Sequence, residues 1–264
     1  MVQPFLKWAG GKRWLVQNHA DLFPKKFNRY IEPFVGSGAV FFHLEPKDAI
    51  LSDANGRLIE AYQAIKDNFK LVKKYLREHH KLHSKEHYYL TRSKVFRSRY
   101  TRAAQFIYLN RTCWNGLYRE NKKGMFNVPI GTKTNVLLST DDFEAVSKNL
   151  EGTELINQDF ELTIQLAQDG DFVFVDPPYT VAHNNNGFVK YNQNIFSWDD
   201  QIRLSKCIAN AKDRGASVIM TNANHESVRE LYSEINDREV LSRRSVISGI
   251  SKGRNSTSEL LVRF

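Results

Sequence analysis

The hydrophobic pattern of the N-terminal third alternates between short apolar runs and helical spacing. The runs at 30–32 and 49–51 are typical of strands, and a helical pattern follows each of them, the first near Ala39. The second helix begins after Asn55, a residue type that caps helices, and its apolar positions recur every three to four residues. An earlier helix is predicted from Gly11 toward Phe23. This alternation predicts an α/β arrangement.

A different pattern fills the middle of the chain. Residues 71–112 are helical in pattern, polar and basic, and residues 113–132 place glycines between short aromatic stretches, which predicts a hairpin or an ordered loop. Strands return at 154–157, 172–175, 218–220 and 260–262. The second of these is an uninterrupted apolar run, typical of a buried parallel strand. The sequence therefore predicts an α/β sheet with a mainly helical insertion.

Composition adds limits to this picture. The chain has 264 residues, of which 41% are hydrophobic, so it can bury a core and is not disordered throughout. No apolar run approaches the roughly 20 residues of a membrane helix. The N-terminus lacks the layout of a signal peptide, and a cytoplasmic protein is expected. Cys113 and Cys207 are the only cysteines, which excludes a disulfide framework and a cysteine zinc cluster.

Positive charge is concentrated in the middle of the chain. The net charge is +9, yet residues 70–135 contain 16 Lys and Arg and three acidic residues, which leaves 22 basic and 26 acidic residues elsewhere. Such a segment attracts a polyanion, because bound phosphates release condensed counterions. Aromatic residues among the cations suit stacking on bases, and solvated helix faces are the alternative. The six aromatic residues are Phe96, Tyr100, Tyr108, Trp114, Tyr118 and Phe126.

Two glycine-rich stretches invite a nucleotide interpretation. Gly36-Ser37-Gly38 lies at a strand-to-helix turn, where glycine lets a ligand approach the backbone, and Asp53 follows at the end of the next strand. Phe41 occupies the third glycine position of the dinucleotide motif, which disfavours an NAD enzyme. Gly10-Gly11-Lys12-Arg13 is similar to a phosphate loop, but that motif requires glycine at Leu6 and serine or threonine at Arg13, which disfavours a nucleotide triphosphatase.

The tetrapeptide Asp176-Pro177-Pro178-Tyr179, here called the DPPY segment, directly follows the buried strand. Open α/β sheets bind ligands at this end of a strand. The prolines stiffen the backbone and remove amide donors. An acceptor side chain and a rigid carbonyl can bind both hydrogens of an exocyclic amine, and the aromatic ring can stack on the base that carries the amine. The segment therefore predicts a site for an amino-bearing base.

Four histidines, His79, His80, His83 and His87, raise the question of a metal site, since three of them share one helical face. No HExxH pattern or cysteine accompanies them. They are interpreted as part of a solvated basic helix face, and no metal is expected.

Seven motifs in sequence resemble the DNA adenine methyltransferase (Dam) family, and the match runs nearly end to end. They are FLKWAGGK (5–12), EPFVGSG (32–38), Asp53, YLNR (108–111), NGLYR (115–119), FNVP (126–129) and DPPY (176–179). The resemblance implies a Rossmann-like S-adenosylmethionine-dependent methyltransferase sheet with an inserted, mainly helical DNA-recognition domain that carries a hairpin. Residues 1–58 and 137–264 would form the catalytic domain and 59–136 the recognition domain, with the hairpin at about 113–131.

The resemblance also implies the chemistry. A methyl group passes from S-adenosylmethionine to the 6-amino group of adenine, which leaves S-adenosylhomocysteine, and the reaction needs no metal. The catalytic residues implied are Asp176, Pro177, Pro178 and Tyr179. The cofactor residues implied are Trp8, Lys12, Gly36, Gly38, Asp53 and Asp176.

For DNA, the resemblance implies a GATC-type target in a duplex from which the adenine is extruded. Arg119 and Lys7 match guanine-reading residues, and Trp114 matches the aromatic residue that fills the gap in the duplex. Asn115 belongs to the same motif, and Leu117 and Pro129 lie beside the thymine methyl. Trp114 stands where tyrosine is common, and Thr132-Lys133 stands where the family often has Arg-Tyr.

The partner implied is double-stranded DNA, with no membrane. A monomer and a cognate restriction endonuclease acting on the same site are both compatible with the resemblance, as are a solitary and a phage-borne enzyme. Three alternatives stay open at this point: methylation of RNA adenine, methylation of the cytosine 4-amino group in DNA, and a DNA-binding module without catalysis.

Overall fold

The computed structural model describes residues 2–116, 118–121, 124–182, 196–244 and 256–264, and the chain folds into two compact units. The first unit comprises Met1–Ala20, Gly36–Lys47 and Asn55–Asn157, and the second comprises Asp21–Val35, Asp48–Ala54 and Gln158–Phe264. The two units are defined by how densely their residues contact one another. The recognition domain at 59–136 is defined by its expected function, and it stays a prediction.

Within the described ranges, seven strands form one mostly parallel sheet, numbered here in chain order and arranged β3-β2-β1-β4-β5-β7-β6. β1 pairs in parallel with β2 and β4, and β4 pairs in parallel with β5, whereas β7 is antiparallel to both β5 and β6. This sheet confirms the predicted α/β class. The strands are β1 (Tyr30–Glu32), β2 (Ala49–Asp53), β3 (Thr153–Asn157), β4 (Phe172–Val175), β5 (Ser217–Ala223), β6 (Arg238–Arg244) and β7 (Ser256–Arg263).

The longest of the described helices, Gly56–Leu82 (α3), lies in the first unit. α3 begins after Asn55, whose side chain accepts hydrogen bonds from the backbone N–H groups of Arg57 and Leu58, as the sequence predicted. In the second unit, Ser197 and Asp200 form a capping box. The helices are α1 (Arg13–Asn18), α2 (Ala39–Leu44), α3 (Gly56–Leu82), α4 (Lys85–Ser93), α5 (Arg99–Thr112), α6 (Phe143–Asn149), α7 (Phe160–Ile164), α8 (Trp198–Asp213) and α9 (Glu226–Leu231), with 3-10 turns at Ala20–Leu22 and Trp114–Gly116.

One of the predictions about elements needs correction. The helix predicted from Gly11 toward Phe23 is divided into α1 and a 3-10 turn, because Asn18 and His19 are poor helix formers and Pro24 disfavours helical backbone just before it. The segment 113–131 is an ordered loop in its described part, and isolated antiparallel bridges join Cys113 to Ile130 and Glu120 to Phe126. It is called the recognition loop below.

Each unit buries an aromatic core. Tyr62, Tyr88 and Tyr108 are fully buried in the first unit, where α3 packs on α5, and Phe172 and Phe174 of β4 are fully buried in the second. Across the described ranges, the helices include none that is long and apolar enough to cross a membrane.

Candidate active site and nucleic-acid interface

Three carboxyl groups lie at one edge of the sheet in the second unit. Glu32 ends β1, Asp53 ends β2, and Asp176 follows the last residue of β4. Because these strands are parallel and neighbours, their carboxyl ends meet at the same edge. The structure therefore brings Asp53 and Asp176 to one edge, as the sequence predicted, and adds Glu32 to them.

The Glu32 side chain is buried close to two other carboxyl groups, and its pKa reflects this. Burial, together with the negative charges of Asp176 and Asp53, raises the pKa of Glu32 well above its ordinary value. The Tyr30 hydroxyl donates a hydrogen bond of 2.9 Å to Glu32 Oε2, which favours the ionised form and offsets part of the increase. This edge of the sheet concentrates negative charge that a cationic ligand would relieve.

The two polar ends of the DPPY segment are each held by a side chain of the second unit. Thr221 Oγ1 donates to Asp176 Oδ1 at 2.9 Å, and the Tyr179 hydroxyl donates to Glu259 Oε2 at 2.6 Å. Sequence reasoning missed Thr221 and Glu259. The available signal was a polar residue directly beside an apolar strand run, at Thr221 after Met220 and at Glu259 before Leu260.

The Gly36–Gly38 turn in the first unit needs both of its glycines. Their φ angles are +46° and +65°, in the left-handed region. A Cβ at Gly36 would lie 2.7 Å from Trp8 Cδ1, and a Cβ at Gly38 would lie 2.9 Å from the Tyr62 hydroxyl oxygen. Trp8 therefore lies directly on this turn. Lys12 is buried, and its Nζ donates to the carbonyl of Gly10 at 2.8 Å.

Lys7 is held against the recognition loop. Its backbone N–H donates to Asn110 Oδ1 at 2.9 Å, and Asn110 Nδ2 donates to the Lys7 carbonyl at 2.7 Å. A Cβ at Gly116 would lie 2.9 Å from Lys7 Cδ, so the Lys7 side chain lies along the start of the loop. The structure thus brings together Lys7, Trp114 and Asn115, residues that the resemblance assigned to DNA.

The recognition loop presents its assigned residues to solvent. Trp114 is 52% exposed, while its backbone N–H donates to the Pro129 carbonyl at 2.9 Å. Arg119 is exposed, and its Nε donates to Asn127 Oδ1 at 3.0 Å, which orients the guanidinium group. Leu117 lies outside the described residues. Backbone hydrogen bonds therefore link described residues of the loop, while Trp114 and Arg119 stay accessible.

Two of the aromatic residues considered for base stacking pack on other side chains of the first unit instead. Tyr108 is fully buried and stacks on His79 with ring centroids 4.8 Å apart. Tyr118 stacks on Trp8 at 5.9 Å and contacts Phe106 at 4.7 Å. Trp114 is the assigned residue that is mostly accessible to a nucleic acid.

The basic segment 70–135 is partly neutralised by acids outside it. Arg99 pairs with Asp67 and Arg102 pairs with Glu60. Arg111 forms a buried pair with Asp141, with N–O distances of 2.6 Å. All three arginines are paired with acidic side chains, so the surface that attracts a polyanion depends on the other cations of the segment.

The sequence suggested that the four histidines belong to a solvated helix face, and this interpretation is wrong. His79 is buried, its Nδ1 lies 3.0 Å from His87 Nε2, and His83 Nδ1 lies 2.9 Å from the Tyr108 hydroxyl. In the part of the chain that the structure describes, no group of three or more His, Cys, Asp and Glu side chains could hold a metal ion. The cluster is a structural element of the first unit.

The buried histidine predicts a loss of stability in acid. Burial, with the nearby His87 and Lys94, lowers the pKa of His79 from 6.5 to about 4. His79 is thus neutral in the folded protein, and the stability it contributes above pH 6.5 is lost as the pH falls toward 4. The free energy of unfolding should fall by about 2 kcal/mol between pH 7 and pH 5 through this group.

Urea unfolding at both pH values measures this effect. His79→Phe keeps a ring against Tyr108 and should lose most of the dependence, whereas the exposed His80→Phe should retain it. An unchanged pH dependence in His79→Phe would show that other groups cause it.

Comparison with known proteins identifies the family. Residues 8–246 match the family of D12 class N6 adenine-specific DNA methyltransferases. The chain is 36% identical over 270 residues to the type II methyltransferase M1.LlaDCHI of Lactococcus lactis subsp. cremoris, covering 99% of this chain and 95% of that protein. It is 36% identical over 287 residues to the type II methyltransferase M.MjaIII of Methanocaldococcus jannaschii, covering 99% and 98%. It is 33% identical over 270 residues to a DNA adenine methylase of Vibrio cholerae, covering 98% and 95%.

These similarities extend over nearly the whole chain, which confirms the resemblance seen in the motifs. They also decide among the alternatives that the sequence left open, since the matched family acts on adenine in DNA. The chain belongs to the D12 class of N6 adenine-specific DNA methyltransferases, and it is an enzyme that methylates adenine in DNA.

Proposed function

We propose that this enzyme transfers a methyl group from S-adenosylmethionine to the N6 amino group of an adenine within GATC in duplex DNA, after extruding that adenine from the helix. The observation that carries the proposal is the DPPY segment, which follows the buried strand β4 and whose Asp176 and Tyr179 are each held by a buried side chain. A fixed acceptor and a fixed aromatic ring suit a flat base that carries an amine.

The charge of the site suits the proposed methyl donor. S-adenosylmethionine carries a sulfonium and an ammonium group, and the sheet edge holds the carboxyl groups of Asp53 and Asp176 next to the buried Glu32, whose pKa they help to raise. When bound, the donor supplies an electrophilic methyl group. The family resemblance supports assigning cofactor binding to six residues: Trp8, Lys12, Gly36, Gly38, Asp53 and Asp176.

The catalytic role falls on the DPPY segment. Asp176 and the Pro177 carbonyl accept the two hydrogens of the adenine amine, which draws the nitrogen lone pair out of conjugation with the ring. Tyr179 stacks on the base, and Pro178 keeps the backbone rigid. With S-adenosylmethionine bound, the amine nitrogen would attack its methyl carbon directly as the carbon–sulfur bond breaks, and the methylated nitrogen would release one proton. No covalent enzyme intermediate is needed, and correct positioning would supply much of the acceleration.

Sequence recognition falls on the recognition loop and Lys7. Extruding a base costs a few kcal/mol, and the exposed Trp114 ring would offset part of this by filling the gap. Arg119, oriented by Asn127, forms a bidentate pair with one guanine, and Lys7 reads the other. Asn115 follows Trp114 in the loop, and we assign contact with the thymine methyl to Leu117 and Pro129.

Removing the Arg119 side chain tests this assignment. Two duplexes are compared, one with GATC and one in which another base replaces the guanine. Arg119→Ala should reduce the preference for the GATC duplex by about 1–3 kcal/mol, because it removes a bidentate pair. Lys133→Ala, which removes another exposed cation, should weaken methylation of both duplexes alike. The kcat/KM ratio for the two duplexes is measured in each variant. A wild-type ratio in Arg119→Ala would show that the guanine is read elsewhere.

The names of the relatives support a restriction-modification role. Two of them are named type II methyltransferases. We infer that a cognate endonuclease acts on the same site and that methylation by this enzyme blocks its cleavage. Plasmid DNA from cells that express the enzyme should resist an endonuclease specific for unmethylated GATC, and full cleavage of that DNA would contradict the inferred site.

A further inference from the structure

The register between β4 and β5 places Thr221 beside Asp176. Val175 is opposite Met220 in this parallel pair, so the next residues of the two strands, Asp176 and Thr221, lie side by side at the carboxyl edge. Thr221 is fully buried, and its Oγ1 donates to Asp176 Oδ1 at 2.9 Å. The rotation of an aspartate carboxylate about Cβ–Cγ has only a broad intrinsic preference. The Thr221 hydrogen bond therefore selects that rotation.

The register between β5 and β7 places Glu259 farther along the same edge. Ala223 is opposite Glu259 in this antiparallel pair, two residues beyond Thr221. Glu259 is 2% exposed, and its Oε2 accepts the hydrogen bond of the Tyr179 hydroxyl at 2.6 Å. The hydroxyl lies on the long axis of the ring. This bond therefore fixes the direction in which the Tyr179 ring extends.

The chain just beyond the DPPY segment is also held. Thr180 Oγ1 donates to the Phe196 carbonyl at 2.7 Å, and the buried Gln201 accepts a hydrogen bond of 3.1 Å from Asn222 of β5. Buried polar groups that have hydrogen-bond partners rigidify a site, because other conformations would leave polar atoms without partners. The surroundings of the segment thus have little freedom to compensate for a lost contact.

We propose that Thr221 and Glu259 are positioning residues for methyl transfer, Thr221 by setting the rotation of the Asp176 carboxylate and Glu259 by setting the direction of the Tyr179 ring. The proposal rests on the catalytic roles proposed above for Asp176 and Tyr179. Neither Thr221 nor Glu259 needs to touch the base. Their contribution is to the geometry of the reacting complex, where a displacement of 1 Å lowers a rate by about 100-fold.

The first arm of the test removes and restores the Thr221 hydroxyl. Thr221→Val keeps the shape and removes the donor, and Thr221→Ser keeps the donor. The single-turnover rate with saturating S-adenosylmethionine and a GATC duplex should fall by about 10- to 100-fold in Thr221→Val and recover in Thr221→Ser. The dissociation constant for DNA should stay at its wild-type value in both. Rates that fall equally in both variants would overturn the positioning role of the hydroxyl.

The second arm is a double-mutant cycle between Glu259→Met, which removes the acceptor of the Tyr179 hydrogen bond at a similar side-chain size, and Tyr179→Phe. If Glu259 acts through the Tyr179 hydroxyl, the double variant should be no slower than the slower single variant. Rate losses that multiply would show that the two side chains act independently and would overturn the role of Glu259.

Asp176→Asn separates this proposal from the proposed function. An inactive Asp176→Asn beside a Thr221→Val variant at the wild-type rate would leave the catalytic role of Asp176 standing and overturn the role of Thr221. A wild-type rate in Asp176→Asn would overturn both. We expect a large loss of rate in Asp176→Asn, a smaller loss in Thr221→Val, and recovery of the rate in Thr221→Ser.

Discussion

Replacing Asp176 with asparagine is expected to lower the single-turnover rate of methyl transfer by a factor of about 100 to 1,000, the range found when one preorganised polar group is removed from an active site. Thr221 Oγ1 donates to one oxygen of this carboxylate. In asparagine the single amide oxygen would keep that bond, which turns the amide NH2 group toward the substrate. A donor would then face the adenine amine where an acceptor is needed.

The measurement is a single-turnover assay with saturating S-adenosylmethionine, accompanied by DNA binding. Asp176→Asn should bind the GATC duplex with nearly the wild-type affinity, because the basic segment and the recognition loop belong to the first unit. Asp213→Asn, at an exposed site at the end of α8, provides the matched control and should keep the wild-type rate. An Asp176→Asn enzyme as fast as that control would contradict the catalytic assignment.

Replacing Asp141 with asparagine is expected to lower the free energy of unfolding by about 3–5 kcal/mol, because it leaves a buried guanidinium group without its counter-charge. The side chains of Arg111 and Asp141 are 1% and 7% exposed. Arg111 also donates to the carbonyls of Phe5 and Val136, each at 2.7 Å. It therefore joins the N-terminal segment, which carries Lys7, to the end of α5.

An exposed ion pair of the same unit provides the comparison. The side chains of Arg99 and Asp67 are 48% and 44% exposed, and Asp67→Asn should cost less than about 1 kcal/mol. Urea unfolding followed by tryptophan fluorescence measures both variants against the wild type. Equal and small losses would mean that the Arg111–Asp141 pair contributes no more than a surface pair.

The sequence predicted the features that depend on neighbouring residues. The apolar run 172–175 forms β4, and the DPPY segment follows it at the sheet edge, because a buried parallel strand and the loop after it are both encoded locally. Asn55 caps α3 for the same reason. The β6 strand was missed because it is an edge strand of mostly polar residues, in which the half-exposed Val240 and the buried Leu241 are adjacent and give no alternating pattern.

Contacts between distant residues could not be predicted in this way. Thr221 and Glu259 reach the DPPY segment through the register of β5 and β7, 45 and 80 residues further along the chain. Arg111 looked like one more cation of the basic segment, but its partner Asp141 lies 30 residues away. His79 falls on a polar helical pattern and is buried because α3 packs on α5.

The most direct test of the account is methyl incorporation from labelled S-adenosylmethionine into two duplexes, one with a single GATC and one with GTTC in its place, followed by nucleoside analysis. The account predicts 6-methyladenine in the GATC duplex and no label in the GTTC duplex. Label in both duplexes would contradict the recognition assigned to Lys7 and the recognition loop. Label in neither, or label on cytosine, would contradict the chemistry assigned to the DPPY segment.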